Sequence, residues 1–335
     1  MQAEIRARLA GFAAGFATRR ILVAGDLMLD EFIWGNVSRI SPEAPVPIVD
    51  VTGESYYPGG AANVARNLRE FTTHVSIMGL TGADAAGDQL LGLLAEAGID
   101  TAAVERDPAF STIRKTRVIA RNQQVVRVDR ERKSGVTGPA LARAIEQIDR
   151  IAPSVDAIIV ADYGKGFVTQ ALADHLCRSA SAHGKILTVD PHPHTTLDWS
   201  GVTAVKPNRL EAFLAAGMPP SEPVTPVLED QTLIEVGRRL RRRWQAENLL
   251  ITLGEHGMLL LADDMLPVHL PTHAKEVFDV SGAGDTAIAV FTLGLAAAAS
   301  PMEAAELANR ASGIAVGKLG TATVTPAELQ ASLRS

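Results

Sequence analysis

Short, uninterrupted apolar runs alternate along this chain with longer segments in which apolar residues share one helical face. The runs at 20–26 and 156–161 each have the length of a strand that is buried on both faces. Between positions 233 and 244, apolar residues recur at helical spacing. Because such strands and helices alternate, the pattern predicts an α/β fold in which helices cover both faces of a mostly parallel sheet.

One region departs from this alternation. Residues 31–57 contain short extended pieces, and three prolines within 42–47 restrict them to edge strands or loops. Two further β-rich segments within 112–129 are predicted to form a hairpin. We therefore expect residues 1–335 to form a single domain from which a small β lid projects, built from 31–57 and from 112–129.

Small or polar residues follow several of the predicted strands. They are Asp26, Asp162, Asp190, the segment 206–208 and Gly254. In open parallel sheets, ligands bind beyond the carboxyl ends of the strands. These residues are therefore expected to converge on one crevice.

Composition narrows the class of protein. Of the 335 residues, 47% are hydrophobic and 21% are charged, which is typical of a globular protein, and the net charge of −6 argues against a nucleic-acid partner. No apolar run has the length of a membrane-spanning helix, so no membrane partner is expected. Cys177 is the only cysteine, which excludes a disulfide framework and agrees with a reducing cytoplasm, the predicted location.

The segment 279–285, Asp-Val-Ser-Gly-Ala-Gly-Asp, precedes an apolar helical run. The first turn of a helix has free N–H groups and partial positive charge, and glycines let an anion such as phosphate approach closely. Asp285 could then be a base that takes a proton from an attacking hydroxyl. Alternatively, Asp285 could simply complement the helix dipole, and these seven residues alone do not decide between the two interpretations.

A second pair of residues has two possible roles. Asn208 and Glu211 are three positions apart at a strand-to-helix junction, which is the spacing of a capping box. The same side chains could instead face the crevice and hold Mg²⁺ through water, because Mg²⁺ usually keeps several waters and takes one or two carboxylates.

Four motifs together resemble the ribokinase-like carbohydrate kinase family, and the resemblance covers nearly the whole chain. They are Gly59-Gly60-Ala61-Ala62-Asn63, Asn208-Arg-Leu-Glu211, Thr252-Leu-Gly254-Glu-His-Gly257 and the 279–285 segment. The resemblance implies a three-layer α/β sandwich with a mostly parallel central sheet and a small projecting β lid. It also implies a phosphotransferase with an alcohol acceptor, using ATP and Mg²⁺, with K⁺ as a further cation.

The resemblance assigns roles to matching positions. Asp285 is implied as the general base, with an anion hole formed by the backbone of Gly282, Ala283 and Gly284. The sugar contacts that it implies are Asp30, Gly59, Gly60 and Asn63. The nucleotide contacts that it implies are Thr252, Gly254, Gly257 and Asn309, together with Asn208 and Glu211 through the metal. The residues that match the monovalent-cation site are Asp279, Ser281, Ala315, Lys318 and Gly320.

Further motifs resemble one branch of this family, the heptose-phosphate kinases. They are the segments 25–30, 39–47, 121–124 and 162–165. The implied reaction is ATP-dependent phosphorylation of the anomeric hydroxyl of D-glycero-β-D-manno-heptose 7-phosphate, within ADP-heptose and lipopolysaccharide core synthesis. Because no His-x-Gly-His motif is present, we expect a stand-alone kinase, and the family's lid implies a homodimer.

The family motifs do not fix which residues contact the substrate's own phosphate. Our candidates are Lys165, Arg121, Arg114, Lys115 and Arg117. Lys165 is preferred because it follows a strand end that is expected to face the crevice. Two alternatives remain open: a kinase for another sugar, sugar phosphate or nucleoside, and a catalytically silent binding protein, which would be expected to have lost the base or the anion-hole glycines.

Overall fold

The computed structural model describes residues 2–121, 123–131, 135–262, 265–274, 276–318 and 320–334. The strands are β1 (Ile21–Gly25), β2 (Leu27–Ile40), β3 (Pro47–Gly60), β4 (Val75–Gly82), β5 (Asp100–Asp107), β6 (Ile113–Ala120), β7 (Gln123–Arg130), β8 (Ala157–Ala161), β9 (Ile186–Asp190), β10 (Ala204–Val205), β11 (Asn248–Thr252), β12 (Met258–Ala262) and β13 (Val268–Leu270). The helices are α1 (Gln2–Ala14), α2 (Ala61–Arg69), α3 (Ala85–Glu96), α4 (Gly138–Ile151), α5 (Gln170–Ala182), α6 (Arg209–Ala215), α7 (Gln231–Trp244), α8 (Ala283–Ala296), α9 (Pro301–Ala315) and α10 (Pro326–Arg334).

The central sheet has nine strands in the order β13-β12-β11-β10-β9-β8-β1-β4-β5. The seven strands from β11 to β5 are parallel, and β12 and β13 are antiparallel additions at one edge. Successive residues of β1 face opposite layers: Leu22 belongs to the same buried cluster as Leu172 and Leu240, whereas Val23 belongs to the cluster of Ile288. The predicted α/β fold with helices on both faces is confirmed.

A second, four-stranded sheet has the order β3-β2-β6-β7. Its strands β2 and β3 are long antiparallel partners, where the sequence pattern predicted only short extended pieces. The prolines do not interrupt them, because Pro42 and Pro45 lie in the connection and Pro47 begins β3. Strand β6 pairs with β2 in parallel and with β7 in antiparallel fashion. Residue 122, in the predicted hairpin turn, lies outside the described residues.

The sequence pattern missed β5 and α10. Strand β5 is an edge strand, and Ala103 is its only buried residue, so it lacks the apolar run of the central strands. Helix α9 ends at Ala315, and the short α10 follows it with Leu329 and Leu333 buried. Both differences concern the periphery, and the carboxyl ends of the central strands lie where the pattern placed them.

Candidate active site

A cavity of about 940 Å³ lies at the carboxyl ends of the central strands. Parallel strands bring these ends to one edge, so distant segments of the chain meet there. The predicted residues that line it are Asn208, Glu211, Thr252, Gly254, Gly257, Ala283, Gly284, Asp285 and Asn309. Two residues without an assigned role in the sequence interpretation, Tyr163 and Lys206, line it as well.

Asp285 lies in the first turn of α8, directly after the glycine-rich segment. Gly282 caps the helix with a φ of 81°, a left-handed conformation that favours glycine. Both carboxylate oxygens accept hydrogen bonds: Oδ1 from the Tyr163 hydroxyl and Oδ2 from the Asn63 amide nitrogen, each at 2.6 Å. The carboxylate is therefore oriented by two fixed donors.

The electrostatic surroundings of Asp285 favour a proton acceptor. Burial raises the pKa of Asp285 above its ordinary value, and the nearby Asp30 charge acts in the same direction. The hydrogen bonds from Tyr163 and Asn63 and the charge of Lys206 act to lower the same pKa. A carboxylate with a raised pKa is more basic than a solvated one, which suits a general base.

Lys206 follows β10 and is 3% exposed. Its ammonium group lies 3.0 Å from the Asp190 carboxylate at the end of β9. Although burial opposes it, the charge of Asp190 raises the pKa of Lys206, so the side chain stays cationic. A Cβ on Gly284 would lie 3.5 Å from the Lys206 nitrogen, which places this cation beside the first turn of α8. The sequence indicated only that 206–208 would end a strand at the crevice.

Asp26, at the end of β1, organises the loop that follows β8. Its carboxylate accepts hydrogen bonds from the backbone N–H groups of Tyr163, Lys165 and Phe167, at 2.9–3.0 Å. Its backbone carbonyl accepts from the N–H of Ala61 at the start of α2. Asp26 therefore holds together the junction of β1, α2 and the loop after β8. The sequence predicted it only as one of the polar residues at the strand ends.

Asp30 and the glycine pair lie together where the second sheet joins the central one. A Cβ on Gly59 would collide with the Asp30 carboxylate, and Gly60 has a φ of 59°. Only glycine therefore fits both the close approach and the backbone turn before α2. Asp30 also accepts a hydrogen bond from Arg117 of the adjacent strand β6, at 2.5 Å.

The candidate contacts to the substrate's own phosphate differ in their charged neighbours and in their positions. Lys165 forms an ion pair with Glu131 at 2.6 Å, and Arg114 lies 3.7 Å from Glu31. For Lys115, burial lowers the pKa, and the positive charge of Lys165 lowers it further. Arg121 is exposed at the end of β6 with a φ of 49°. It lies six residues beyond Lys115, about 20 Å along an extended strand.

Asn208 and Glu211 form the predicted capping box at the start of α6. The Asn208 side chain accepts from the Glu211 N–H at 2.9 Å, and the Glu211 side chain accepts from the Asn208 N–H at 2.7 Å. Both side chains also line the cavity, so the two interpretations are compatible. Within the described part of the chain, no group of three or more His, Cys, Asp or Glu side chains is arranged to hold a metal.

The predicted nucleotide contacts line the same cavity. Thr252 ends β11, and Gly254 and Gly257 follow with φ values of 60° and 86°. Asn309 on α9 is buried and donates to the backbone carbonyl of Pro271 at 2.7 Å. They share the lining of the cavity with Ala283 and Gly284 at the start of α8.

Asp279 connects two of the segments that were matched to the monovalent-cation site. Its carboxylate accepts from the N–H of Ser281 at 2.8 Å and from the N–H of Gly320 at 3.2 Å. Although burial opposes it, these hydrogen bonds lower the pKa of Asp279. The carbonyl of Ala315 accepts from the N–H of Lys318, and the Lys318 side chain binds Thr323 and Glu328 instead of Asp279.

Solved structures share this architecture. A ribokinase of Arabidopsis thaliana, complexed with ribose and ATP, aligns with a TM-score of 0.73 and 15% identity, over 95% of this chain and 99% of that one. The phosphofructokinase-2 of Escherichia coli, complexed with potassium, aligns with a TM-score of 0.72 and 18% identity, over 94% and 98% of the two chains. The fold is therefore ribokinase-like.

The family follows from the sequence match. The model of the pfkB family carbohydrate kinases matches residues 18–328, and the chain belongs to that family. It is accordingly a sugar kinase, and the family implies ATP as the phosphoryl donor, typically with a divalent metal. Among the described residues, no helix combines the length and the apolar character needed to cross a membrane.

Longer relatives match most of this chain. The bifunctional protein HldE of Desulfatibacillum aliphaticivorans is 43% identical over 320 residues, which are 95% of this chain and 64% of that protein. The protein of the same name from Caulobacter vibrioides is 43% identical over 328 residues, which are 98% and 66% of the two chains. This chain thus spans less than two thirds of the length of these relatives.

Proposed function

We propose that this chain transfers the γ-phosphoryl group of ATP to the anomeric hydroxyl of D-glycero-β-D-manno-heptose 7-phosphate, giving the 1,7-bisphosphate for ADP-heptose synthesis in the cytoplasm. The sugar is supported by relatives named HldE at 41–43% identity over the kinase region. The observation that carries the chemistry is the half-buried Asp285 carboxylate in the first turn of α8, oriented by two donors.

In the proposed reaction, Asp285 takes the proton of the anomeric hydroxyl as its oxygen attacks the γ-phosphorus. The bond to the β,γ-bridging oxygen breaks, and ADP leaves with that electron pair. In this proposal the backbone of Gly282, Ala283 and Gly284 forms the anion hole for the charge on the transferred group. Lys206 lies beside them and supplies a second positive centre.

Metal ions would be held by groups already present. Glu211 and Asn208 would hold a hydrated Mg²⁺, which when bound neutralises the nucleotide's phosphate charge. Only one Glu211 oxygen is committed to the capping box, so the carboxylate keeps free acceptor capacity. Asp279 and Ser281, with carbonyls near Ala315, Lys318 and Gly320, would hold K⁺.

Recognition of the sugar phosphate divides between two groups of residues. The sugar contacts in the proposal are Asp30, Gly59, Gly60 and Asn63. For the distal phosphate we infer Lys165 and Lys115, because the positive charge of one lowers the pKa of the other and an anion between them would relieve the repulsion. Arg117 is bound to Asp30, a sugar contact of the proposal, and Arg121 lies about 20 Å along β6 from Lys115.

A homodimer through the second sheet is part of the same proposal. Strand β7 is exposed along its whole length, including the apolar side chains of Val126 and Val128. A second copy of the chain would cover this edge and its unpaired backbone groups.

The test is ADP release from ATP with a panel of sugars and sugar phosphates, for the unmodified chain and for Asp285→Asn. We expect a clear preference for heptose 7-phosphate and a fall in kcat of about 10²–10⁴-fold in the variant. ATP binding, measured by calorimetry, should change little and serves as the folding control. A preference for an unphosphorylated sugar or a nucleoside would overturn the substrate, and normal turnover by Asp285→Asn would overturn the base.

A further inference from the structure

The loop after β8 holds a tyrosine whose hydroxyl touches the Asp285 carboxylate. The Tyr163 hydroxyl donates to Oδ1 at 2.6 Å, across 122 residues of sequence. Burial and the Asp285 charge raise the pKa of Tyr163 well above its ordinary value, so the phenol keeps its proton and acts as a donor. A hydrogen bond to a charged acceptor is among the stronger ones in proteins.

The phenol is held in place from both ends. Its backbone N–H is bound to the Asp26 carboxylate at 2.9 Å, and the neighbouring Gly164 takes a left-handed φ of 67° that turns the loop. The ring packs against both hydrophobic layers of the central sheet. A ring fixed in this way cannot follow Asp285 if that side chain rotates, so the hydrogen bond selects one carboxylate orientation.

Asn63 completes the arrangement from the opposite side. Its amide nitrogen donates to Oδ2 at 2.6 Å, so each Asp285 oxygen has one donor and keeps one lone-pair direction free. The incoming hydroxyl must use one of the two remaining directions. With only one donor, the carboxylate could rotate about its Cβ–Cγ bond and present either oxygen in several directions.

We propose that Tyr163 is a positioning residue for the phosphoryl transfer: its hydroxyl and the Asn63 amide hold the Asp285 carboxylate from two sides and aim its free lone pair at the substrate hydroxyl. This inference rests on the proposed function. During the step, the substrate O–H breaks, its proton goes to Asp285, the new O–P bond forms and ADP leaves. Tyr163 keeps its own proton throughout.

The charged groups around this pair define the background of any pH measurement. They are Asp30 on β2, Lys206 after β10, Asp190 on β9 and Glu211 on α6. Replacing Tyr163 with Phe leaves all of them in place and removes one hydrogen bond that lowers the pKa of Asp285. The acid limb of the kcat/KM profile should therefore move to higher pH, a change that a purely structural role of Tyr163 would not produce.

The experiment compares Tyr163→Phe with Tyr56→Phe, a matched control whose hydroxyl donates to the exposed Glu54 at 2.7 Å. For Tyr163→Phe we expect kcat to fall about tenfold, the KM for ATP to stay within twofold, and the acid limb to rise by about one pH unit. Tyr56→Phe should match the unmodified chain. An unchanged kcat and acid limb in Tyr163→Phe would overturn the proposal.

A second measurement keeps the inference testable if Tyr163→Phe fails to fold. The chain has three tyrosines, so Tyr56→Phe with Tyr57→Phe leaves Tyr163 as the only site for 3,5-difluorotyrosine. Fluorination makes the phenol a stronger donor at nearly the same size, and the acid limb should then move to lower pH. An unmoved limb would refute the positioning role, whereas normal turnover by Asp285→Asn would refute the proposed function itself.

Discussion

The region around Asp285 and the second sheet carry different kinds of polar contact. Around Asp285, the polar groups are deeply buried, with Asn63 2% and Lys206 3% exposed, and each is fixed by a partner in another element. In the second sheet, β7 is exposed throughout, and Arg117 and Arg114 lie beside carboxylates of the neighbouring strand β2. Changes in the first region should alter the rate, whereas changes at the charged side chains of β2 and β6 in the second should alter which sugar binds.

Among changes that leave Asp285 in place, the largest effect is expected from removing the Lys206 cation. Lys206→Met leaves the Asp190 carboxylate buried without its partner, and breaking a buried ion pair costs about 3–5 kcal/mol of unfolding free energy. It also removes a positive centre beside the first turn of α8, so kcat should fall about 10²–10³-fold. Urea denaturation and steady-state kinetics measure the two effects.

A double variant separates these two contributions of Lys206. Adding Asp190→Asn to Lys206→Met removes the unpaired charge, so most of the lost unfolding free energy should return while turnover stays low. If turnover returned together with stability, Lys206 would contribute only to the fold and not to the rate.

The second prediction concerns the contacts to the distal phosphate. Lys165→Met and Lys115→Met should each raise the KM for the sugar phosphate about ten- to a hundredfold, because each removes a charge-assisted contact. The kcat and the KM for ATP should stay within about threefold. Lys185→Met is the matched control, since this lysine binds the Pro153 carbonyl far from the cavity. A fall in kcat without a change in this KM would contradict the prediction, because these lysines would then act on phosphoryl transfer and not on binding of the distal phosphate.

The third prediction is the pH dependence of the unmodified chain. Burial raises the pKa of Asp285, so the base is lost by protonation at a higher pH than for a solvated aspartate. The kcat/KM should therefore fall tenfold per pH unit on an acid limb that lies above about pH 4. Returning samples to pH 7 before assay controls for acid unfolding, and constant activity down to pH 4 would contradict the raised pKa.

The smallest effect on stability is expected on β7. Val126→Ser together with Val128→Ser should change the unfolding free energy by less than about 0.5 kcal/mol per site, because both side chains are exposed. Sedimentation should nevertheless show a shift from dimer to monomer if this strand is the interface. An unchanged dimer would move the interface elsewhere and leave the proposed kinase activity untouched.

The sequence pattern predicted the parts of the molecule that depend on local order. Apolar runs were sufficient for the parallel sheet, and the glycine-rich segment was sufficient to put Asp285 in the first turn of a helix. The partners of Asp285 were not predictable in this way, because Tyr163 and Asn63 are 122 and 222 residues away. Likewise, the Arg117 contact with Asp30 depends on the parallel register of β2 and β6, which no local pattern specifies.

The Asp26 junction has a consequence for how the second sheet can move. Hydrogen bonds of Asp26 connect the end of β1, the start of α2 and the loop of Tyr163, and β2 begins at the next residue. The near end of the second sheet is therefore anchored to the same junction that holds Tyr163, the proposed positioning residue for Asp285. We expect the second sheet to bend toward a bound sugar only farther from this junction, at the register shifts after Trp34 and Val37. The part of the sheet beyond these shifts can then move while the orientation of the Asp285 carboxylate, the proposed base, stays constant.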